Sequence, residues 1–272
     1  MNFEALLDLA IEAARAAGKI IQAHAHLEMD FEEKVGGSSR ASQVLTEVDK
    51  AAERAIIEIL SPSMERYDLA LLAEETADDG SRFEKDFFWC IDPMDGTLAF
   101  LEKRPDYAVS IALVTKDGQA KIGVVYDPSR DNLYQALQGQ GAYKNGQPWS
   151  LAKANSYLSY VSDHSLEKSV GAEKIQSIIT TKQKELGLSE TRILSGGGLV
   201  INAMRCAENK PAFMLKIPKP SPGCGSIWDY AATVCICLEL GMRVEAFSGG
   251  PLELNHRGGS FMNEGGMVFE NF

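Results

Sequence analysis

From Leu69 to Ala136 the chain is a succession of strand-length apolar runs, each closed by turn residues or by acid. Leu69-Ala70-Leu71-Leu72-Ala73 stops at Glu74-Glu75, and Phe87-Phe88-Trp89-Cys90-Ile91 stops at Asp92. Tyr107 to Val114, Ala120 to Tyr126 and Asn132 to Ala136 follow, separated by Lys116-Asp117-Gly118 and Asp127-Pro128-Ser129. Runs of this length, parted by short turns, predict an antiparallel meander. Helical spacing precedes it: Leu6, Leu7, Ala10, Ile11, Ala14, Gly18 and Ile21 predict an amphipathic helix over 3–26 with small residues for close packing. A second helix is expected to open at Thr46-Glu47-Val48-Asp49 and run through Leu60, stopped by Pro62. Between the two helices, Gly36-Gly37-Ser38-Ser39 reads as a mobile loop.

Beyond Asn145-Gly146 the pattern changes to alternating elements: a strand near 157–162, a helix near 170–186, a strand at 191–194, a helix over 198–208, a strand at 212–216 and the helix Ile227–Leu240. No repeat or long linker intervenes. The 272 residues are therefore expected to form two packed halves, 1–152 and 153–272, with a site between them. A formal charge of -11 argues against a nucleic-acid polymer as partner. Stretches such as Ile227–Leu240 are too short to span a bilayer, and a start carrying Glu4 and Asp8 lacks the basic opening of a signal peptide, so a soluble, cytoplasmic protein with no membrane partner is expected. Five cysteines form an odd set without C-x-x-C spacing, which predicts reduced, mostly buried thiols and no zinc.

The acids are the chemical signal. In Asp92-Pro93-Met94-Asp95-Gly96-Thr97 two carboxylates and the Met94 carbonyl are placed to converge across a turn as hard oxygen ligands for Mg²⁺. Asp-Pro and Asp-Gly are also ordinary turn formers, and in the plainer reading Asp95 caps a helix beginning near Gly96. Glu74-Glu75 closes a second apolar run, so two strands ending in acid predict one pocket. Trp228-Asp229 stands at the start of the last predicted helix, where an acid also has a purely structural reason to be.

Glu74-Glu75, the hexapeptide from Asp92 to Thr97, and Trp228-Asp229, in that order, resemble the inositol monophosphatase superfamily of Mg²⁺-dependent, lithium-sensitive phosphatases. Thr46-Glu47-Val48-Asp49 with Glu53, Val109-Ser110-Ile111-Ala112, Gly123-Val124-Val125-Tyr126 with Pro128, and Gly141-Ala142 with Asn145-Gly146 fit the same pattern. The resemblance implies an α/β fold, a layered α-β-α-β-α sandwich of the kind shared with fructose-1,6-bisphosphatases, and a homodimer. It further implies that Glu74, Asp92, the Met94 carbonyl, Asp95 and Asp229 bind two or three Mg²⁺ ions, with Asp92 bridging two of them. Glu74 and Thr97 would orient and activate the attacking water, and two metals about 3.5–4 Å apart would serve nucleophile and leaving group. Gly96 and Thr97 would offer backbone N–H groups to phosphate. Asp49 is placed beside the threonine by the resemblance, yet an exposed acid opening a helix reads identically. Glu75 would hold the geometry of the ligands without touching the ion.

The second half is similar to the 3'(2'),5'-bisphosphate nucleotidase branch. Ser195-Gly196-Gly197-Gly198, Ser221-Pro222-Gly223-Cys224, and Met262-Asn263 before Gly265-Gly266 carry that likeness. Gly197 and Gly198, with Asp229, would contact the substrate, although a glycine run is also a plain tight turn. Leu98-Ala99-Phe100 and Val200 depart from the branch; Lys216 and Lys219 are candidate replacements for its basic contact, and His164 matches a Ser-His element or is a surface histidine. The expected partner is a small phosphorylated metabolite: a bisphosphate nucleotide of the adenosine 3',5'-bisphosphate type first, an inositol monophosphate or another sugar phosphate next. A catalytically idle phosphate-binding regulator and a purely structural protein are the competing classes. The first would lack a ligand, and the second would leave the clustered acids repelling one another.

Overall fold

The computed structural model describes residues 1–25, 31–33, 44–164, 166, 169 and 171–272. The Gly36–Ser39 stretch lies outside the described residues. In chain order the elements are α1 (Phe3–His24), β1 (Phe31–Glu33), β2 (Val44–Thr46), α2 (Glu47–Tyr67), β3 (Ala70–Ala73), β4 (Phe87–Asp95), α3 (Thr97–Leu101), β5 (Ala108–Thr115), β6 (Ala120–Asp127), β7 (Asn132–Leu137), β8 (Ala142–Lys144) and β9 (Gln147–Trp149). They continue with β10 (Leu158–Ser162), α4 (Ala172–Glu185), β11 (Thr191–Ser195), α5 (Leu199–Glu208), β12 (Ala212–Lys216), α6 (Ile227–Glu239), β13 (Arg243–Glu245) and β14 (Met267–Asn271).

Strands β3 to β9 form one seven-stranded sheet in sequence order, in which β3 runs parallel to β4 and every later pairing is antiparallel. The meander is therefore present and longer than expected, extended by the β8–β9 hairpin around Asn145-Gly146. A five-stranded mixed sheet, ordered β11-β10-β12-β14-β13, forms from the later strands. Three apolar clusters arrange these sheets and helices in layers. Leu6, Ala10, Ala14 and Ile21 of α1 and Ile56 and Leu60 of α2 pack on one face of the first sheet with Trp89, Ile111 and Val124. Met204 of α5 and Ala232 and Ile236 of α6 fill the space between the two sheets. Ile175 and Ile179 of α4 cover the outer face of the second sheet on Tyr160 and Phe213. The result is the α-β-α-β-α sandwich.

Helix α2 does not stop at Pro62; it continues to Tyr67 with the proline inside it. Proline has no N–H for the carbonyl four residues back, that of Glu58, and the Ser61 hydroxyl donates to that carbonyl instead at 3.1 Å. The extra turn is anchored by buried Ser63, whose hydroxyl accepts from Trp89 Nε1 at 3.0 Å. Tertiary packing thus overrides the local stop signal. All five cysteines are free, and only Cys224 is outside the buried core. No helix among the described residues is long and apolar enough to cross a membrane.

Helix α6 crosses the first sheet with its backbone almost touching β6. A Cβ at Gly123 would collide with the Ala232 carbonyl, so glycine is what lets this helix lie so close. That closeness brings the first turn of α6 over the end of β4.

Candidate active site

Strand β4 does not end at Ile91 but continues through the acids to Asp95. Along it Asp92 pairs with Ser110 and Asp95 with Ala108, so three steps on β4 match two on β5 and the register shifts between them. This is a β-bulge. In a regular strand, residues three apart point to opposite faces; the extra residue reverses the parity and puts both carboxylates on one side. Pro93, which has no N–H to leave unpaired, sits within the bulge. The Met94 amide donates to Asp92 Oδ1 at 2.9 Å, and the Thr97 hydroxyl donates to the Met94 carbonyl at 3.1 Å, closing the turn.

Asp229 arrives from the other sheet's side of the molecule. Ser110, the cross-strand partner of Asp92, donates through its hydroxyl to the Trp228 carbonyl at 3.0 Å and so seats the first turn of α6 above the bulge. Asp229 Oδ2 accepts the Ser226 amide at 2.7 Å, holding the acid on its own helix start. One oxygen each from Asp92, Asp95 and Asp229 then lie within 4.8 Å of one another. Asp92 is buried and the other two are partly open.

All three carboxyl pKa values are raised above the ordinary one. Burial, followed by the charges of Glu74, Asp229 and Asp95, pushes the Asp92 carboxyl well up. Burial and Asp229 push Asp95 up to about 8, against the pull of the Val200, Leu199 and Ile201 amides. Asp229 is raised by burial, less so because Asp92, the Ser226 amide and Lys216 favour its ionised form. Among the described residues no ion pair joins a cation to the trio; a bound cation would remove the repulsion.

Asp95 does cap a helix, but not the one expected. It accepts the Leu199 and Val200 amides at 3.1 and 2.7 Å and so caps α5. A Cβ at Gly198 would fall inside the Asp95 carboxylate, which explains the last glycine of the Gly196–Gly198 run. The helix that begins after Gly96 is only the five residues of α3, too short for a large dipole.

A profile of the inositol monophosphatase family matches residues 2–268. The chain belongs to this family. Among its curated members, the Nus factor SuhB of Escherichia coli K12 is 39% identical over 142 residues, 52% of this chain and 50% of that protein. The chain thus spans about half the length of the SuhB relatives it matches. The fructose-1,6-bisphosphatase/inositol-1-monophosphatase of Thermotoga maritima is 29% identical over 266 residues, 97% of this chain and 93% of that protein. Among solved structures, CysQ from Bacteroides thetaiotaomicron, a bacterial member of the inositol monophosphatase family, superposes with a TM-score of 0.77 at 26% identity, covering 99% of this chain and 98% of that one.

Within this inositol monophosphatase framework the remaining predicted residues fall as follows. Glu74 follows β3 directly, its amide on the Ile91 carbonyl at 3.2 Å; it stands outside the tight trio but is close enough to raise Asp92. The Glu75 amide donates to Glu53 Oε2 at 2.8 Å. Asp49, in the first turn of α2, is 3% exposed, so it is not a solvated helix-opening acid. The amides of Gly196 and Gly198 donate to the carbonyls of Ser162 and Asp106, both at 3.1 Å, so the glycine run is first of all a tight connection between β11 and α5. Val200 is fully buried. The Lys216 ammonium is paired with Asp163 at 2.5 Å, and His164 is an exposed side chain 3.6 Å from the same carboxylate.

Asp106 is not among the residues that the sequence singles out, yet it borders this site through Gly198. Its carboxylate binds both Arg130 and Arg205 at 2.5 Å, its carbonyl takes the Gly198 amide, and its backbone is left-handed with φ 91°. Burial alone would raise this carboxyl, but the hydrogen bonds and charges of the two guanidiniums hold it below its ordinary value. Its partners lie 24 and 99 residues away, and no local spacing announces them.

Proposed function

We propose that this chain hydrolyses a small phosphate monoester with Mg²⁺ as cofactor. The observation that carries the reading is the meeting of Asp92, Asp95 and Asp229, from distant parts of the chain, with their oxygens within 4.8 Å and no ion pair to a cation among the described residues. The donor set fits the ion: carboxylates and a backbone carbonyl, without nitrogen or sulfur, suit a hard divalent cation. Asp92, Asp95, Asp229, the Met94 carbonyl and Glu74 would hold it. Bound there, Mg²⁺ would offset the charge of the phosphate oxygens and polarise the attacking water.

The chain's own residues supply the rest. The Thr97 hydroxyl gives its hydrogen to the Met94 carbonyl, which leaves its lone pairs to accept from the attacking water and orient it. Glu74, placed at the end of β3 beside Asp92, takes the water's proton. The Gly96 and Thr97 amides receive phosphate oxygens, while Asp49 and Glu75 steady the groups around them.

For the substrate, a 3'(2'),5'-bisphosphate nucleotide comes first, supported by the likeness of Ser195–Gly198, Ser221–Cys224 and Met262-Asn263 to that branch. A second reading, an inositol or sugar phosphate, is favoured by buried Val200 and by the pairing of Lys216 with Asp163, which engage the positions where a second phosphate would need a free cation. The test is phosphate release from adenosine 3',5'-bisphosphate, inositol 1-phosphate and fructose 1,6-bisphosphate with Mg²⁺, with and without Li⁺. Fastest Mg²⁺-dependent release from the nucleotide supports the first reading, and preference for either other ester supports the second. No Mg²⁺-dependent release from any of the three would count against both.

A further inference from the structure

Among the described residues Arg82 is the second largest of the fully buried side chains, only 1% exposed, and nothing in the chemistry above uses it. It lies in the short helical turn Ser81–Phe83 between β3 and β4, eight residues beyond Glu74. Each nitrogen of its guanidinium donates a hydrogen bond. Nε donates to Asp78 Oδ2 at 2.8 Å, Nη1 to Asn255 Oδ1 at 2.5 Å, and Nη2 to the His256 and Gly259 carbonyls, both at 3.3 Å. Asn255 answers: its Nδ2 donates to the Arg82 carbonyl at 3.1 Å and to the Lys116 carbonyl at 2.8 Å. A buried charge with one carboxylate and three neutral acceptors is expensive to place in a core, so what it holds is informative.

What it holds is the approach to Asp229. The segment gripped at Asn255, His256 and Gly259 runs directly into Ser260, whose carbonyl accepts the Ile227 amide at 2.8 Å. Phe261 then forms a β-bridge with Ser226, and the Met262 amide donates to the Gly225 carbonyl at 2.9 Å. Ser226 and Ile227 are the start of α6, and the Ser226 amide is the donor that fixes the Asp229 carboxylate. On its other side Arg82 belongs to the loop that begins at Glu74. The guanidinium therefore ties the segment carrying one acid to the segment that seats another, across 173 residues of sequence.

We infer that Arg82 is a positioning residue for the metal site, locking the Glu74 loop to the seat of Asp229 and so setting the spacing of acids contributed by two distant parts of the chain. This rests on the metal reading proposed above. Lysine cannot replace it, because a single ammonium cannot reach acceptors spread around a planar fork.

The test uses the full chain with Arg82→Lys and, because a variant at a buried arginine can fail to fold, Asn255→Ala, which removes one acceptor while leaving the arginine in place. Mg²⁺ affinity is measured by calorimetry without substrate, and hydrogen exchange is followed at the Ile227 amide. Both variants are expected to bind Mg²⁺ roughly tenfold more weakly, as when a residue supporting a ligand is lost, with faster exchange at Ile227. In activity, the Mg²⁺ concentration for half-maximal rate is expected to rise by a similar factor while kcat at saturating Mg²⁺ changes less than about threefold. Wild-type Mg²⁺ affinity and unchanged Ile227 exchange in a folded variant, with only thermal stability lowered, would make Arg82 an ordinary staple and overturn the inference. Failure of the wild-type chain itself to bind Mg²⁺ would instead remove the metal reading, and this inference with it.

Discussion

Two carboxylate clusters meet at Gly198, and they are built on opposite principles. On one side Asp95, with Asp92 and Asp229, gathers three acids that no ion pair among the described residues neutralises, and their pKa values are driven up, that of Asp95 to about 8. On the other, Asp106 is a single acid between two guanidiniums at 2.5 Å, and its pKa is driven down. Among the described residues, the fold that pairs one cluster with two guanidiniums offers the other backbone amides and the charge of Lys216. An arrangement that neutralises one carboxylate so thoroughly and leaves its neighbours repelling is what a site for an added cation requires.

The largest expected effect comes from breaking the acid cluster at its buried member. Asp92→Asn keeps the shape and the oxygen that accepts the Met94 amide while removing a charge. Metal stabilisation of developing charge amounts to several kcal/mol, and each 1.4 kcal/mol is a factor of ten, so turnover should fall by about a thousandfold. The chelated variant should be at least as stable as the wild type, because repulsion is relieved. Steady-state phosphate release and a melting curve in chelator measure both; near-normal turnover would remove Asp92 from the metal site.

The compensated cluster should respond in the reverse sense. Asp106→Asn retains a residue that tolerates left-handed backbone, so it tests charge alone. Breaking a fully buried pair costs about 3–5 kcal/mol; here Arg130 is 41% exposed and keeps Asp127, so about 2 kcal/mol is expected, or on the order of 6 °C in Tm. Thermal melts with and without Mg²⁺ should show the same loss. A loss confined to the Mg²⁺-loaded protein would move Asp106 into the metal site and dissolve the contrast.

The two clusters were unequally readable from sequence. Asp229, an acid with a structural reason to open a helix, is singled out only by the family resemblance of the motifs taken together, whereas Asp92, Asp95 and Glu74 announce themselves because apolar runs stop on acid. The strands and most helices were readable for the same reason, clear periodicity. The bulge that turns Asp92 and Asp95 to one face was not, since it appears only as a mismatch with β5. The β8–β9 hairpin was not predicted: Asn145-Gly146, both with positive φ, is a strong hairpin dipeptide, but its three-residue strands are too short to show a period. Asp106 with Arg130 and Arg205, and Arg82 with Asn255, join residues far apart in sequence, and Pro62 shows a local stop signal overruled by the packing of Ser63 under Trp89.

A smaller effect is expected at the rim of the acid cluster. Asp229→Asn can still accept the Ser226 amide through its remaining carbonyl oxygen, so α6 should keep its place. The variant should need roughly tenfold more Mg²⁺ for half-maximal rate, within the range for weakening one ligand, with little change in Tm in chelator. A superimposable Mg²⁺ titration would exclude Asp229 as a ligand.

The gentlest probe leaves the sequence intact and uses pH. For Asp95 the folded pKa, about 8, lies above its ordinary 3.8, so between those values the folded chain holds more protons than the unfolded one. Stability contributed by this group is present at low pH and lost as pH rises through that window; Asp92 and Asp229 shift in the same direction. Asp106, with its pKa lowered, contributes the reverse, a stability lost only as pH falls below the ordinary carboxylate range. His256, whose pKa burial and Arg82 lower, adds stability as pH rises through the range just below 6.5, but that contribution is independent of metal. The difference between Mg²⁺ and chelator therefore isolates the acid cluster. Because the ion must displace protons from these carboxylates, its stabilising increment in Tm should be larger near about pH 8 than near about pH 5.5, by on the order of 3 °C for each kcal/mol of linked protonation. Equal increments at the two pH values would mean that the acids are already ionised without metal, and the contrast with Asp106 would lose its physical basis.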